Sequence, residues 1–153
     1  MASKAKAYES DRTTIAGRGF TNLKLLDKEV RDFAHLELDR VTFTGCVLSV
    51  NDDTSLRRGV TDVVARRCRL NGSLVDGLRF DEVTIEDLAT GSGFRPSACV
   101  FRHATLKGKI GSFVAIGPSD DLEPRFYREF RESAEAFYQA LDISEARFSD
   151  SEF

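Results

Sequence analysis

A large apolar residue recurs every five positions along much of this 153-residue chain, and a smaller or second apolar one usually stands two positions before it. In the run Phe33, Leu38, Phe43 and Leu48 the companions are Arg31, Leu36, Val41 and Cys46. The pattern resumes through Ala65, Leu70, Val75, Phe80 and Ile85, behind Val63, Cys68, Ser73, Leu78 and Val83. Thr90 and Arg95 keep the spacing but not the apolar character. A frame shift near Pro96 then leads to Phe101 and Leu106, behind Cys99 and Ala104. The frame returns as Ile143, Phe148 and Phe153, behind Leu141, Ala146 and Ser151. A period of five belongs to neither a helix nor a flat strand.

Side chains alternate across an extended segment, so residues i−2 and i of each unit share one face. The other three residues of the unit then turn a corner outward. One unit cannot bury its own pair, but successive turns of chain stacked on one another bury a continuous core and hydrogen-bond turn to turn. The column at i fills the centre, which suits Phe and Leu. The column at i−2 lies nearer a corner, which suits Ala, Ser, Cys and Val. Arg31 departs from the pattern and marks where the regular stack is expected to begin.

Ala104-Thr105-Leu106-Lys107-Gly108, Ala146-Arg147-Phe148-Ser149-Asp150, Cys68-Arg69-Leu70-Asn71-Gly72 and Val41-Thr42-Phe43-Thr44-Gly45 resemble the units of the pentapeptide-repeat family, whose pattern is Ala-Asp/Asn-Leu-X-X. The resemblance covers roughly residues 21–48, 63–106 and 141–153, and few units carry the family's Ala or its Asp/Asn. It implies an all-β solenoid, a right-handed, four-sided β-helix with four units to a coil. Such a motif speaks to fold and is nearly silent on function.

The size suits one domain with a substantial core. A net charge of −3 and a pI near 5.5 argue against a polybasic nucleic-acid binder. No apolar run approaches the ~20 residues of a membrane helix, and residues 1–18 lack the apolar centre of a secretion signal, so a cytoplasmic location is expected. Cys46, Cys68 and Cys99 form no CxxC pair and share the i−2 phase, which makes them wall-filling residues rather than metal ligands or nucleophiles. His35 and His103 each follow an inner residue by two positions, on expected solvent-facing corners.

Three segments stand outside the repeat. Residues 1–18 are polar and read as an arm or cap of the N-terminal coil. Residues 51–58, with Asp52, Asp53, Arg57 and Arg58, read as an exposed loop interrupting the stack. Over 122–141, Phe126, Tyr127, Phe130, Ala134, Phe137, Tyr138 and Leu141 follow helical spacing behind N-cap candidates at Ser119, Asp120 and Asp121, which predicts one inserted amphipathic helix. Its aromatic stripe is expected either to cap the solenoid or to dock a partner.

Function enters by what such a surface could do. Arg66, Arg67 and Arg69 form a basic group on the outward positions, while Asp76, Asp81, Glu82, Glu86 and Asp87 form an acidic one. Residues one coil apart stand in ladders about 4.8 Å per step, and Arg67 and Asp87 are expected neighbours in one of them. A filled column offers no obvious cleft for catalysis, and Gly-Ser-Gly at 91–93 lacks the lysine of a phosphate loop. The expectation is a non-enzymatic protein-binding module without metal or cofactor. Its most concrete form is a bacterial immunity or inhibitor protein that blocks a partner such as a toxin. The contact candidates are Asp52, Asp53, Arg57, Arg58, Arg66, Arg67, Asp81, Glu82, Glu86, Asp87 and the helix residues Arg128 and Arg131. The family resemblance also permits topoisomerase (gyrase) binding by DNA mimicry, as in the quinolone-resistance type, with a homodimer through the C-terminal end at Phe153. A structural scaffold is the third reading.

Overall fold

A computed structural model of the chain describes residues 12–21, 33–49, 59–76, 79–91, 94, 96–97, 99–114 and 141–152. Every element among them is a strand: β1 (Thr13–Ala16), β2 (Gly19–Thr21), β3 (Phe33–Asp39), β4 (Thr42–Thr44), β5 (Val47–Ser49), β6 (Gly59–Arg66), β7 (Arg69–Asn71), β8 (Leu74–Asp76), β9 (Arg79–Thr90), β10 (Pro96–Ser97), β11 (Val100–Val114) and β12 (Leu141–Glu152). All the pairings between them are parallel. One curled sheet runs β1-β3-β6-β9-β11-β12, with β2, β4 and β7 joined to it through β9, and β5, β8 and β10 form a smaller sheet. Parallel neighbours need a crossover between them. The chain therefore circles back and lays each strand on its counterpart of the preceding circuit, an arrangement compatible with a solenoid.

The register gives the circuit length. Val63 lies beside Val83, twenty residues on. Val83 lies beside Ala104 after twenty-one, whereas Leu36 precedes Val63 by twenty-seven in the circuit that contains residues 51–58. Between Ala104 and Leu141 the circuit takes thirty-seven residues. The helix expected over 122–141 lies outside the described residues, apart from Leu141, which is the first residue of β12. The loop at 51–58 and residues 1–11 of the expected arm lie outside them as well.

The two apolar columns meet in the core. Leu38, Val41, Phe43, Cys46, Val63, Ala65, Cys68, Phe80, Val83 and Leu106 are buried together, and Ile15, Phe20, Leu70, Ile85 and Phe148 pack against them half-buried. Phe20 stacks on Phe43 and Phe80 on Phe101, with ring centroids 5.5 and 5.2 Å apart. The stack starts earlier than the sequence frame: β1 and β2 already pair with β3 and β4, so Thr13–Ala16 belongs to the first circuit and not to an arm. The middle run also extends further, because β11 continues to Val114 and buries Ile110 and Phe113 beyond the expected unit at Leu106.

Corners are left-handed. His35, Asp62, Glu82 and His103 fall at one corner with φ of 51–56°, and Gly17, Arg40, Arg67, Asp87 and Gly108 at a second with φ of 54–73°. Gly45 and Gly72 mark a third. This conformation favours glycine, and among other residues Asn, Asp and His tolerate it best. Seven non-glycine residues adopt it among the described residues, so the repeated turn overrides local preference where cross-strand bonds fix the chain on both sides.

Candidate functional site

The outward side chains between the first and second corners are organised by register. Asp39, Arg66, Glu86 and Lys107 occupy one column, strand upon strand. Arg66 donates to Glu37 at 2.6 Å and reaches Glu86 at 3.5 Å, while Lys107 lies 3.8 Å from the same Glu86 carboxylate. Across the first corner Arg102 stands 3.6 Å from Asp81, its register partner. Opposite charges facing each other across strands support the pairing. Each such half-exposed pair contributes only about 0.2–1 kcal/mol. Their larger effect is on the surface, where Arg66 and Lys107 interrupt the column that holds Asp39 and Glu86.

The first corner carries a titratable column. Arg12 donates from Nε and Nη2 to Oδ1 of Asp62 at 2.9 and 2.7 Å, and His35 Nδ1 lies 2.8 Å from Oδ2. The Arg12 hydrogen bonds, followed by the His35 bond, hold the Asp62 carboxyl below the usual carboxylate range and outweigh its partial burial. Above this pair a cleft of about 340 Å³ is lined by Arg12, Asp62, Val64, Glu82, Thr84, His103, Ala104, Thr105 and Asp142. Asp142 accepts the Ser144 amide at 2.9 Å, and that bond lowers its pKa.

The second corner carries a groove of the opposite sign. Arg67 donates from Nε and Nη2 to Oδ1 of Asp39 at 3.0 and 2.6 Å, and Arg40 donates to Oδ2 at 3.1 Å. Burial alone would raise the Asp39 carboxyl; the bond and charge of Arg67, then those of Arg40, pull it below its ordinary value. Arg40, Thr42, Arg67, Cys68, Arg69, Asp87 and Ala89 line the groove, which encloses about 400 Å³. Asp87 is turned away to accept the Lys109 amide at 2.8 Å.

The structure therefore separates the residues proposed from sequence. Arg66 and Glu86 meet in the ion-pair column, Asp81 pairs with Arg102, Glu82 lies in the acidic cleft, and Arg67 and Asp87 lie at the basic groove. Arg67 and Asp87 are column neighbours, but the Arg67 ion pair goes to Asp39 of the preceding circuit. Asp52, Asp53, Arg57, Arg58, Arg128 and Arg131 lie outside the described residues. Sequence reasoning missed Arg12, Asp62 and Asp142 at the first corner and Asp39 and Arg40 at the second. The signal for them is the circuit length: Arg12, His35, Asp62, Glu82 and His103 share a column only when the unequal circuits are known.

The histidines fall on a left-handed corner, exposed, as the phase of the repeat requires. All three cysteines are buried and outside any disulfide. The Cys46 thiol donates to the Phe20 carbonyl at 3.4 Å and the Cys68 thiol to that of Arg66 at 3.4 Å. Burial pushes the Cys68 thiol above its ordinary pKa, the opposite of what a reactive thiolate needs. Among the described residues no group of three or more His, Cys, Asp and Glu side chains converges to hold a metal ion. No helix among them is long and apolar enough to cross a membrane. No family model matches the chain, and neither a curated protein nor a solved structure matches it.

Proposed function

We propose that the protein is a non-catalytic binding module, a pentapeptide-repeat solenoid whose rigid outer faces engage another protein. We read its coil as right-handed and four-sided; the twenty-residue circuit from Val63 to Val83 and the corners at Asp62, Arg67 and Gly72 support the four sides. The observation that carries the functional reading is the placement of charge. One strand face bears sign-alternating ladders, with an acidic cleft at one edge and an arginine groove at the other. Such a surface selects a partner by electrostatic complementarity, which sets specificity and association rate more than raw affinity. In its most concrete form the module is an inhibitor or immunity protein that covers the active site of an enzyme or toxin. Buried cysteines that form no disulfide suit a reducing compartment such as the cytoplasm.

DNA mimicry by topoisomerase binding is the weaker reading, because duplex DNA presents one negative charge per about 1.7 Å and the Glu86 column carries Arg66 and Lys107 on either side. The test is affinity capture with the wild-type chain and with a charge-swapped variant, Arg66→Glu with Glu86→Arg. The swap keeps an opposite-charge pair at positions 66 and 86 but sets like charges beside Asp39 and beside Lys107, so the sign alternation of the column is lost. A protein retained by the wild type and lost by the folded variant is expected. Equal retention by both overturns the assignment to this face, and inhibition of gyrase supercoiling by both would favour mimicry.

A further inference from the structure

Resting on the binding reading above, we propose that the second-corner groove is a carboxylate receptor: it takes an Asp or Glu side chain from an acidic segment of the partner protein, with Arg69 as the recognising guanidinium. Three arginines and Asp87 line the groove, Asp39 is bonded to two of those arginines, and this bonding leaves a single cation over. Arg40 and Arg67 are both spent on Asp39, one on each carboxylate oxygen. Asp87 is spent on the Lys109 amide. Arg69 is exposed and carries no ion pair among the described residues.

The strand register explains why the Arg69 position is open to a ligand. Its outward column reads Gly19, Thr42, Arg69 and Ala89, with small neighbours on both sides. No long side chain stands in that column to cover the guanidinium, and Thr42 places a hydroxyl one strand below it. An arginine fork matches a carboxylate bidentately, and the groove's edge already shows arginines binding a carboxylate in the Arg40–Asp39–Arg67 bridge, where Arg67 places both donors on Oδ1 and Arg40 bonds Oδ2. Charge then discriminates between oxyanions. The residual positive charge of one matches a carboxylate, whereas a phosphate dianion would leave a negative excess beside Asp87.

The test is an NMR titration of the intact chain, following the Arg69 Nε–Hε signal and the Thr42 amide, with hexaglutamate and separately with inorganic phosphate. Hexaglutamate is expected to shift both signals saturably. Arg69→Gln should weaken it about fivefold, the ratio of a well-formed exposed ion pair, and Arg69→Lys should keep part of the affinity. Circular dichroism verifies that each variant is folded. The peptide effect should also fall as ionic strength rises. No saturable shift, tighter binding of phosphate than of the peptide, or an unchanged affinity in a folded Arg69→Gln variant each overturns the proposal. The binding-module reading fails separately, when no protein is retained by the wild type although the peptide still binds. Conversely, a captured partner held equally by wild type and Arg69→Gln overturns the receptor and leaves the module standing.

Discussion

The middle circuits and the C-terminal ones are built from the same kind of strand yet hold together differently. From β6 to β9 the register runs unbroken on each side of the Asp62/Glu82 corner: Val60 beside Phe80, Val63 beside Val83, Ala65 beside Ile85 and Arg66 beside Glu86. Toward the end it slips. β11 shifts against β9 between Lys107 and Ile110, and against β12 between Thr105 and Lys107. In the middle the five-residue frame fills the core by itself. At the end Phe113, fully buried, closes it instead, with its ring 5.5 Å from that of Phe94 and 5.6 Å from that of Phe148. Leu141, Ile143, Ala146 and Phe148 of β12 are only half-buried. The comparison teaches that the repeat is one way of stacking parallel strands, and that an aromatic cluster substitutes for it where the frame fails.

Phe113→Ala breaks this arrangement most directly. It removes the ring that joins Phe94 to β12, and a loss near the upper end of about 3–5 kcal/mol is expected. Phe80→Ala should sit nearer the lower end of the same range, because among the described residues Phe80 stacks on Phe101 alone and its neighbouring register is intact. Chemical denaturation measures both. Hydrogen exchange should show β12 opening first in Phe113→Ala, and β12 amides as protected as those of β9 would refute the clasp.

A pair of glycines sharpens the comparison at the next level. Gly72 and Gly108 both turn left-handed corners, at φ of 58° and 73°. A Cβ on Gly72 would meet nothing within 4 Å, whereas one on Gly108 would collide with the Asp87 carboxylate that holds the Lys109 amide. Gly72→Ala should cost about 1–2 kcal/mol for the backbone conformation. Gly108→Ala should cost about 1 kcal/mol more, since the Asp87 bond must also give way. Equal unfolding midpoints for the two variants would mean that Asp87 moves aside freely.

Much of this difference was written in the sequence, but only part of it could be read. The columns through Leu38, Phe43, Val63, Ala65, Cys68 and Phe80 are legible because each circuit there repeats the same corner geometry. Ile15 and Phe20 are five apart too, yet two residues make no periodicity, and the first circuit became visible only through its pairing with β3 and β4. Ile110 and Phe113 escaped because a bulge inserts a residue and spoils the count. The ion-pair ladders depend on circuit length, which varies from twenty to thirty-seven residues with the interruptions it contains. The column placement of opposite charges was therefore legible for Arg67 and Asp87, one regular circuit apart, and hidden for Arg12 and Asp62.

Thr90 marks the seam between the two regions. It occupies an inner position where Leu70 stands one circuit earlier, and its hydroxyl is buried without a hydrogen-bond partner. Gly111 lies against it, so close that a Cβ there would meet the Thr90 oxygen. Thr90→Val removes the unpaired hydroxyl at nearly constant shape, and a stabilisation of about 1 kcal/mol is expected. A destabilised Thr90→Val would mean that the hydroxyl has a partner in solution.

The smallest effects separate the regions by the origin of their depressed carboxyls. Asp62 owes its own chiefly to Arg12 of another circuit, Asp39 to Arg67 of another circuit and then to the adjacent Arg40, and Asp142 to the Ser144 amide within its own strand. In each case the folded pKa lies below the ordinary aspartate value of about 4, so the unfolded chain takes up protons first as pH falls. The stability these groups contribute is complete above that value and is lost as the pH drops through the folded pKa. Salt distinguishes the causes, because it screens exposed ion pairs and leaves a short backbone bond nearly untouched. A carboxyl NMR titration at low and high salt should move the Asp62 and Asp39 midpoints up toward the ordinary value and leave the Asp142 midpoint in place. If all three rise together, the C-terminal strand is held by charge after all, and its contrast with the middle circuits rests on packing alone.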